Sequence, residues 1–511
     1  MTGFDWFNAL DFTQAQTNLG YEAHGDWHRD PWGWPEIKFL LDGGKEIVRD
    51  YCNLNLANEL ALLDVPKENW GTRPAVVLNP VDRLVYQALV DTLSVDIAGE
   101  LSPNAFGWRL PARTPKKGQY SQNKRQWEGY RGHLILLSTL YPVALKTDIV
   151  SCFASMPLDV IQAELESRTP SNHPSKRLLE FLGAFDSAPH RSGLPQRSIA
   201  SALIANMVMM TLDGVLEHHA TALPKIMKRG VQYHSFARWM DDMWLFVRDA
   251  GRARRAQIEL QQAVESVGLN LNAAKTEVLE DGKALEETQE IEHSAVDSAL
   301  SLKVSDHAPL EELIDRIIDS PEKTSRTTIK FAASRMQEHN SRHRIQELLE
   351  ASKRMPHATD AFFPLFRDVF VSEGLQDWFL DYAKSDWAGF QWSISYYARM
   401  FGKDTEPRRE LVEYFEVLVE NPSTSLPLLA VAVQRLVEWN PNTARAVIRA
   451  AVRKTSNAHA IRILVLAALN AREPGKTAKA WLDPHESNRA TLEMLAAQRY
   501  KQVAVLAAYR R

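Results

Sequence analysis

The spacing of apolar positions divides the sequence near residue 300 into two parts that predict different elements. Before that point, short apolar runs typical of strands occur at 76–78, 143–145 and 243–247. Helical periodicity extends over 82–93 and over 198–216, a strongly apolar stretch that polar residues interrupt. Those interruptions predict a buried helix and not a membrane span. The mixture of strands and helices predicts an α+β region.

Beyond about residue 306 the strand signals almost vanish and helical periodicity takes over. The amphipathic segments are 310–318, 327–338, 408–419, 426–437, 444–453 and 458–469. Breakers such as Asn440-Pro441 separate them, so that one helix follows another roughly every 15–20 residues. We expect antiparallel helix pairs stacked in the manner of HEAT-like repeats, with a boundary between Glu290 and His307. The predicted domains are residues 1–300 and 301–511.

Composition restricts the class of protein without choosing among functions. The 511-residue chain is 45% hydrophobic and 24% charged, as in ordinary soluble proteins of two or three domains. Its two cysteines, Cys52 and Cys152, form neither a disulfide framework nor a zinc-binding spacing. The N-terminus shows no basic stretch followed by an apolar one. We therefore expect a cytoplasmic protein with no membrane partner.

The charge balance is unusual for a protein that would hold a nucleic-acid duplex. The net charge is −4, and residues 301–511 hold 30 Lys and Arg against 26 Asp and Glu, which leaves 30 against 38 in residues 1–300. Duplex binding is largely electrostatic. The acidic first part therefore predicts either a local basic groove or an enzyme that holds little template.

Two adjacent carboxylates, Asp241 and Asp242, interrupt an apolar and aromatic run at 236–247. Neighbouring residues of a strand face opposite sides of a sheet, so a continuous strand would direct one of the two into a core. Burying an unpaired carboxylate costs several kcal/mol. A strand–turn–strand hairpin with the pair at its tip, presented to divalent metal ions, avoids that cost.

Other blocks accompany this pair in a definite order. They are 65–74 with Asp82-Arg83, 105–109, 145–153 with Asp148, 193–201 with Gln196 and then Asn206, the Asp241-Asp242 pair, and 268–277 with Lys275. Their order and spacing resemble the fingers and palm of reverse transcriptases over about residues 60–280. The resemblance implies an α+β reverse transcriptase-like palm and fingers, here followed by an all-α HEAT-like helical repeat domain.

The resemblance implies nucleotidyl transfer assisted by two metal ions. A hydroxyl attacks the α-phosphate of a nucleoside triphosphate and pyrophosphate leaves. The three aspartates Asp148, Asp241 and Asp242 would be the catalytic and metal-binding residues. Carboxylate and water oxygens are the ligands that Mg²⁺ prefers, and Mn²⁺ would also fit.

Five further residues are expected to bind the nucleotide: Lys67, Arg73, Phe153, Gln196 and Lys275. Lys67 and Arg73 suit the β- and γ-phosphates. Lys275 suits the departing pyrophosphate. Phe153 stands where the family has an aromatic steric gate against a 2′-hydroxyl, which implies dNTPs as substrates. Gln196 is expected at the templating or incoming base.

Some positions depart from the usual family pattern. Trp239 and Met240 replace the common Tyr-Ala before the aspartates, and Arg197 stands where glycine usually follows Pro-Gln. No RNase H acidic set follows the palm. Together with the helical second part, these departures resemble the abortive-infection reverse transcriptases of bacteria and prophages, of the AbiK type.

That second resemblance implies anti-phage defence, with DNA made without template from a protein hydroxyl. The single-stranded DNA product would stay covalently attached to a homo-oligomeric protein. Tyr21 is the candidate primer, in a stretch predicted to be a loop, and Tyr51 and Tyr120 are its rivals. Two alternatives remain: an RNA-templated reverse transcriptase of a retron or other defence system, and a noncatalytic helical scaffold, which the three aspartates disfavour.

Overall fold

A computed structural model of the chain describes residues 6–23, 25–54, 59–111, 114–169, 173–187, 192–224, 232–301 and 306–506. The strands are β1 (Leu60–Pro66), β2 (Thr72–Leu78), β3 (Ala105–Phe106), β4 (Val143–Thr147), β5 (Phe236–Trp239), β6 (Asp242–Val247) and β7 (Glu277–Leu279). The helices are α1 (Phe12–Glu22), α2 (Pro35–Asp42), α3 (Lys45–Leu54), α4 (Pro80–Ala98), α5 (Asn123–Leu140), α6 (Cys152–Ser155), α7 (Leu158–Arg168), α8 (His173–Asp186), α9 (Ile199–His219), α10 (Ala250–Ser266), α11 (Lys283–Gln289), α12 (Ile291–Leu300), α13 (Ala308–Asp319), α14 (Arg326–Glu338), α15 (Ile345–Ala351), α16 (Thr359–Val369), α17 (Ser372–Lys384), α18 (Gln391–Ala398), α19 (Arg409–Glu420), α20 (Leu426–Trp439), α21 (Pro441–Val452), α22 (Ala458–Asn470), α23 (Gly475–Leu482) and α24 (Arg489–Ala497).

The chain divides into two compact units, each made of separate stretches of sequence. The first unit comprises Met1–Gly25, Cys52–Asn58 and Asp82–Ser294. The second comprises Asp26–Tyr51, Glu59–Val81 and Ala295–Arg511. The junction after Ser294 lies inside the predicted boundary region, but the two early stretches of the second unit had been assigned to domain 1–300. Long-range pairing, described below, is the physical reason for this difference.

The first unit is built on a five-stranded sheet with the strand order β3-β5-β6-β4-β7. β4 lies between β6 and β7 and pairs antiparallel with both. Trp244 and Phe246 of β6 pack in one core with Leu137 of α5. The alternate residues Met243 and Leu245 are also buried, on the face where α10 packs against β4 and β6. Burial of both faces explains the continuous apolar run at β6, and the strands predicted at 143–145 and 243–247 are confirmed.

α9 is the most apolar helix of the first unit. It is the one helix of the described residues that is long and apolar enough to cross a membrane by length and composition, and 78% of its most apolar window is buried inside the protein. Its polar residues Asn206 and Asp213 are buried and hydrogen-bonded to other protein groups. The predicted buried helix is confirmed.

Between residues 306 and 506 the second unit is a stack of helices. α14 packs on α16, α16 on α18, α18 on α20 and α20 on α22. α20 and α22 are buried over almost their whole length, whereas α19 and α21 bury one face. In α19 that face is formed by Leu411, Phe415 and Val419, four residues apart. The helices predicted beyond residue 306 are confirmed, as are the strand at 76–78 and the helix at 82–93.

The β1–β2 hairpin belongs to the second unit, where β1 packs against α18. At its tip Asn69 and Trp70 have φ angles of 53° and 60°, in the left-handed region. The Asn69 amide donates to the Glu322 carbonyl at 3.0 Å. The Trp70 ring centroid lies 5.7 Å from that of Trp387 and 5.9 Å from that of Phe390. A backbone hydrogen bond and aromatic packing therefore anchor the tip on the helical stack.

A buried arginine ties the first stretch of the second unit to the same helices. Arg462 of α22 donates to the two carboxylate oxygens of Glu36 at 2.7 and 2.8 Å and to Asp30 at 2.5 Å. The Thr491 hydroxyl donates to Glu36 at 2.8 Å. The guanidinium also lies 4.7 Å from the centroid of the Trp34 ring. These contacts join residues more than four hundred positions apart, which no local pattern encodes.

Candidate active site

Strand register gathers the three predicted aspartates at one end of the sheet. In the pairing of β4 with β6, Thr147 lies opposite Met243, so Asp148 comes beside Asp242 one residue later. Asp241 belongs to the tight turn that joins β5 to β6. The predicted strand–turn–strand hairpin is thus confirmed, and β4 adds a third carboxylate to its tip.

A buried arginine supports this turn. Arg238 of β5 donates to the two carboxylate oxygens of Asp213 at 2.6 and 2.8 Å. It also donates to the Asn206 side-chain oxygen at 2.8 Å and to the Met240 carbonyl at 3.1 Å. Met240 immediately precedes Asp241 and has a φ angle of 54°. Arg238 therefore acts as a positioning residue that fixes the backbone next to the aspartates.

The role of Arg238 was not predicted from the sequence, although the sequence contains a signal for it. A single cation in an apolar strand and a single carboxylate, Asp213, in an apolar helix each require a buried partner. Pairing the two lone charges would have predicted the contact. What sequence could not supply is the register that brings β5 against α9.

Asp148 is held in place from the opposite side by the segment that leads into β7. Its side chain is only 9% exposed, and its Oδ2 accepts a 2.6 Å hydrogen bond from Lys275 Nζ. Its Oδ1 accepts from the Ile149 amide at 2.9 Å. The Asn272 amide donates to the Asp148 carbonyl at 2.8 Å, and β7 then pairs with β4. Sheet pairing therefore brings Lys275 to the aspartate cluster.

The cluster carries more negative charge than its cation neutralises. Burial and the carboxylates of Asp148 and Asp242 raise the pKa of Asp241 to about 7. Burial and Asp148 also raise the pKa of Asp242, although Lys275 and Lys146 act against this rise. Burial by itself would lower the pKa of Lys275, but its hydrogen bond to Asp148 and the three carboxylates outweigh burial and raise that pKa.

These residues fit a site for divalent cations. Burial and mutual repulsion raise the pKa values of Asp241 and Asp242, a crowding that a divalent cation would relieve, and carboxylate oxygens are the ligands that Mg²⁺ prefers. Although surrounding protein atoms partly desolvate both carboxyl groups, Asp242 as a whole residue is exposed and Asp241 is half-buried, so both remain accessible from solvent. Asp148, Asp241 and Asp242 are the residues that would hold the ions, with Lys275 as the adjacent fixed positive charge.

The segments that carry the predicted gate and base-contacting residues are joined to each other. Phe153 is half-buried in α6, and its carbonyl accepts a 2.7 Å hydrogen bond from the Leu194 amide. Gly193 has a φ angle of 73°, and a Cβ at this position would lie 2.2 Å from the Phe153 carbonyl oxygen. Only glycine allows so close an approach. The loop with Gln196 is thereby fixed against Phe153.

Arg197 follows Gln196 with a φ angle of 61°. Glycine usually stands at this position in the reverse transcriptases that the sequence resembles. The backbone here has the left-handed conformation that glycine adopts without cost. For arginine this conformation costs roughly 1–2 kcal/mol. The side chain is exposed.

Two residues of the motif blocks have hydrogen bonds to the backbone around β3. Asn206, which follows the 193–201 block, is fully buried and donates to the Gly107 carbonyl at 3.0 Å. Arg109 donates to the carbonyls of Pro103 and Ala105, both at 3.1 Å. Both side chains thus organise the segment around β3.

Lys67 and Arg73 lie in the second unit, near the tip of the β1–β2 hairpin, where Val65 pairs with Arg73. The two cations are half-buried in one pocket. Its other lining residues are Trp27, Val65, Pro66, Glu68, Arg326, His357 and Trp392. The structure thus brings the two predicted phosphate-binding residues together, and their role at the nucleotide stays a prediction.

The predicted primer Tyr21 lies near the end of α1, so its placement in a loop was wrong. The helix begins at an Asp11 cap that accepts from the Gln14 amide, and its mixed composition conceals a buried stripe. Tyr21 itself is 64% exposed. The Tyr120 hydroxyl donates to Asp91 at 2.8 Å, and the Tyr51 side chain lies outside the described residues.

Comparison with known proteins gives one family match. A family model described as reverse transcriptase (RNA-dependent DNA polymerase) matches residues 65–305. None of the curated proteins compared matches the chain. Among solved structures, telomerase from Candida albicans in complex with a fragment of telomeric RNA is 11% identical, with 72% of this chain and 67% of that chain covered and a TM-score of 0.26. At that TM-score the likeness carries no argument.

Proposed function

We propose, from the premise that residues 65–305 form a reverse transcriptase domain, that the chain is a DNA polymerase that joins deoxynucleotides at Asp148, Asp241 and Asp242. The observation that carries this proposal is the register of β4 against β6, which gathers the three aspartates beside Lys275. Nucleotidyl transfer needs divalent cations at the reacting oxygens and a positive charge for the leaving group. The three aspartates of this cluster offer ligands for the cations, and Lys275 offers the positive charge for the leaving group.

Each residue of the cluster has a distinct task in this proposal. Asp148, Asp241 and Asp242 would hold two Mg²⁺ ions, or Mn²⁺ in their place. Bound ions of this kind supply charge that activates the attacking hydroxyl and neutralises the leaving pyrophosphate. Lys275, with its raised pKa, stays protonated at neutral pH and offers its proton or its charge to pyrophosphate.

The nucleotide contacts follow from the predicted residues. Lys67 and Arg73 would bind the β- and γ-phosphates, and Gln196 the base. The ring of Phe153 would lie beneath the sugar and exclude a 2′-hydroxyl, which makes dNTPs the substrates. The fixed contact between the Phe153 carbonyl and the Gln196 loop supports a joint role in nucleotide selection.

We further infer that synthesis is template-independent and protein-primed, in abortive infection against phage. The acidic balance of residues 1–300, with 30 basic against 38 acidic residues, offers little attraction for a duplex. The exposed Arg197 beside Gln196 also adds a long cationic side chain at the position where we expect the templating base. A helical stack, which we interpret as HEAT-like, follows the polymerase domain.

The primer in this proposal is the Tyr21 hydroxyl, which belongs to a side chain that is 64% exposed and therefore open to a reactant from solvent. Single-stranded DNA would then remain covalently attached to the protein. We also propose a cytoplasmic homo-oligomer, as the resemblance to abortive-infection enzymes implies. The second candidate function is an RNA-templated reverse transcriptase of a retron or other defence system, which the family match at residues 65–305 equally allows.

The test uses purified protein, Mg²⁺ and labelled dNTPs without template or primer, followed by a denaturing gel before and after protease. We expect label that migrates with the protein and shifts on proteolysis. Tyr21→Phe should abolish the label because the primer hydroxyl is lost. Asp241→Asn should also abolish it, because a metal-binding carboxylate is lost. Label in Asp241→Asn would exclude the aspartate cluster, and activity only with added RNA template and primer would establish the second candidate.

A further inference from the structure

The C-terminal end of α9 and the facing side of α10 bring together two imidazoles and a carboxylate. His219 Nε2 lies 2.7 Å from Glu259 Oε2. The nearest ligand atoms of His218, His219 and Glu259 all lie within 4.8 Å of one another. All three residues belong to the first unit, and none of them takes part in the proposed polymerase reaction.

The burial of these three groups suits a site open to solvent on one side. The His219 ring is 6% exposed, so its orientation is fixed by packing. His218 is exposed, and its ring centroid lies 5.0 Å from that of His219 at an interplanar angle of 85°. A rotation of the exposed ring can therefore bring a third ligand to the pair while leaving a position for water.

The charges around the cluster favour a cation but also contain one competitor. The carbonyl groups at the end of α9 give this end of the helix a partial negative charge. Arg252 occupies the His219 carbonyl with a 2.8 Å hydrogen bond, which leaves the imidazole ring as the ligand. Arg255 donates to Glu259 Oε1 at 3.1 Å, on the oxygen that does not face His219.

We propose that His218, His219 and Glu259 bind one divalent transition-metal ion of the zinc class. Two imidazole nitrogens and one carboxylate oxygen are ligands that suit Zn²⁺ far better than Mg²⁺. The ion takes the position of the hydrogen between His219 Nε2 and Glu259 Oε2, and the imidazole binds it through Nε2 in the tautomer that carries its proton on Nδ1. Water completes the coordination on the exposed side.

The site pins the last turn of α9 to α10. α9 carries Asn206 and Asp213, the two side chains that hold Arg238 under the aspartate turn. Metal at the end of this helix therefore stabilises the element on which the active-site support depends. Because the ion binds the folded chain, it raises the thermal midpoint by an amount that grows with the free ion concentration relative to the dissociation constant.

The experiment titrates Zn²⁺ into the metal-stripped full chain by calorimetry, with excess Mg²⁺ present to occupy the aspartate cluster. We expect one Zn²⁺ per chain. His218→Ala and Glu259→Gln should each weaken binding by about tenfold or more. His173→Ala removes an exposed histidine of the same unit outside the cluster and should bind as the original chain does.

A variant that is expected to strengthen Zn²⁺ binding makes the test specific. Arg255→Gln removes the competing cation from Glu259 and should tighten Zn²⁺ binding. Added Zn²⁺ should also raise the thermal midpoint of the original chain and of His173→Ala by the same amount, and that of Glu259→Gln by less at the same Zn²⁺ concentration. Equal Zn²⁺ binding by Glu259→Gln and the original chain, or no binding in the presence of Mg²⁺, would overturn the proposal.

Discussion

Each compact unit contains a buried arginine held by carboxylates, and the two arginines fix different things. Arg238 in the first unit has one carboxylate partner, Asp213. It also donates hydrogen bonds to the Asn206 side-chain oxygen and to the Met240 carbonyl. Arg462 in the second unit has two carboxylate partners, Asp30 and Glu36. The first arginine orients a turn, whereas the second joins distant parts of the chain.

The difference shows how a buried ion pair can serve geometry or stability. Arg238 ends on the backbone beside Asp241, so a small error in its position moves a carboxylate of the proposed active site. The contacts of Arg462 lie in the second unit, and its loss leaves the buried carboxylates of Asp30 and Glu36 without their guanidinium partner. We therefore expect substitutions around Arg238 to affect catalysis first and substitutions at Arg462 to affect stability first.

The largest effect expected is loss of chemistry without loss of fold. Asp241→Asn should reduce nucleotide incorporation by about a thousandfold or more, because a ligand at the reacting centre is lost. In metal-free buffer the same change should raise the thermal midpoint, since one of three crowded carboxylates is neutralised. Incorporation assays and thermal unfolding measure the two effects. Normal incorporation would remove Asp241 from the active site.

Arg462→Met tests the stability side of the comparison. The change should cost about 3–5 kcal/mol, because Asp30 and Glu36 are left buried and unpaired. Chemical denaturation measures this loss. Arg409→Met is the matched control, since Arg409 forms an exposed ion pair within α19, and it should leave the midpoint unchanged. A stable Arg462→Met variant would show that the second unit does not depend on this arginine.

The contribution of Asp30 to the pH dependence of stability should have the opposite sign in Arg462→Met from that in the original chain. Burial acts to raise the pKa of Asp30, but Arg462 and His28 outweigh it and hold that pKa below its ordinary value of 3.8. A lowered pKa gives stability that is present above that value and is lost on acidification. Without Arg462 the pKa of Asp30 should lie above 3.8, so the variant should gain stability as pH falls toward it.

Arg238→Lys should separate positioning from stability. Lysine keeps the charge for Asp213 but loses the fork that also reaches Asn206 and the Met240 carbonyl. We expect kcat to fall about a hundredfold through displacement of the turn, with little change in KM for dNTPs. Steady-state kinetics at a temperature where the variant is fully folded test this. Unchanged kcat with lowered stability would show that Arg238, like Arg462, serves stability and does not position the turn.

Phe153→Ala should alter substrate choice alone. Loss of the ring opens space beneath the sugar, so discrimination against ribonucleotides should fall by about tenfold or more. Competition between labelled dNTPs and rNTPs measures the ratio. Phe153→Tyr retains the ring and should retain discrimination. If the alanine variant still excludes ribonucleotides, another residue forms the gate.

The smallest effect concerns backbone strain in the first unit. Arg197→Gly should stabilise the chain by about 0.5–1 kcal/mol, because relief of the left-handed conformation exceeds the entropy that glycine loses on folding. Denaturation curves of the two proteins test this. Arg197→Ala keeps the strain and serves as the control. A destabilised glycine variant would show that the arginine side chain has contacts worth more than the strain.

Local sequence patterns predicted the elements that local interactions specify. The stripe of Leu411, Phe415 and Val419 predicted α19, and the conflict between Asp241-Asp242 and its apolar surroundings predicted the turn. Both signals lie within a few residues of the element they specify. The resemblance to reverse transcriptases then selected Asp148 and Lys275, and β pairing places these two within hydrogen-bonding distance.

Pairings across long stretches of chain escaped sequence reasoning. Asp30 and Glu36 precede their partner Arg462 by more than four hundred residues, and no periodicity relates them. The same holds for the β1–β2 hairpin, whose tip packs on Trp387. For this reason a division at residue 300 does not predict that Asp26–Tyr51 and Glu59–Val81 belong to the second unit. Arg238 was recognisable as a lone charge, but its partners depend on strand register.

The anchored hairpin tip has a consequence for how such proteins can recombine. The match to the polymerase family ends at residue 305, yet Trp70 inside that match packs against Trp387 and Phe390 beyond it. A gene fusion that exchanged everything after residue 305 would replace Trp387 and Phe390, so the Trp70 ring would face residues that do not fit it. The hairpin and the helices therefore have to be inherited as a pair, and chimeras between relatives should succeed only when residues 59–81 travel with the helices.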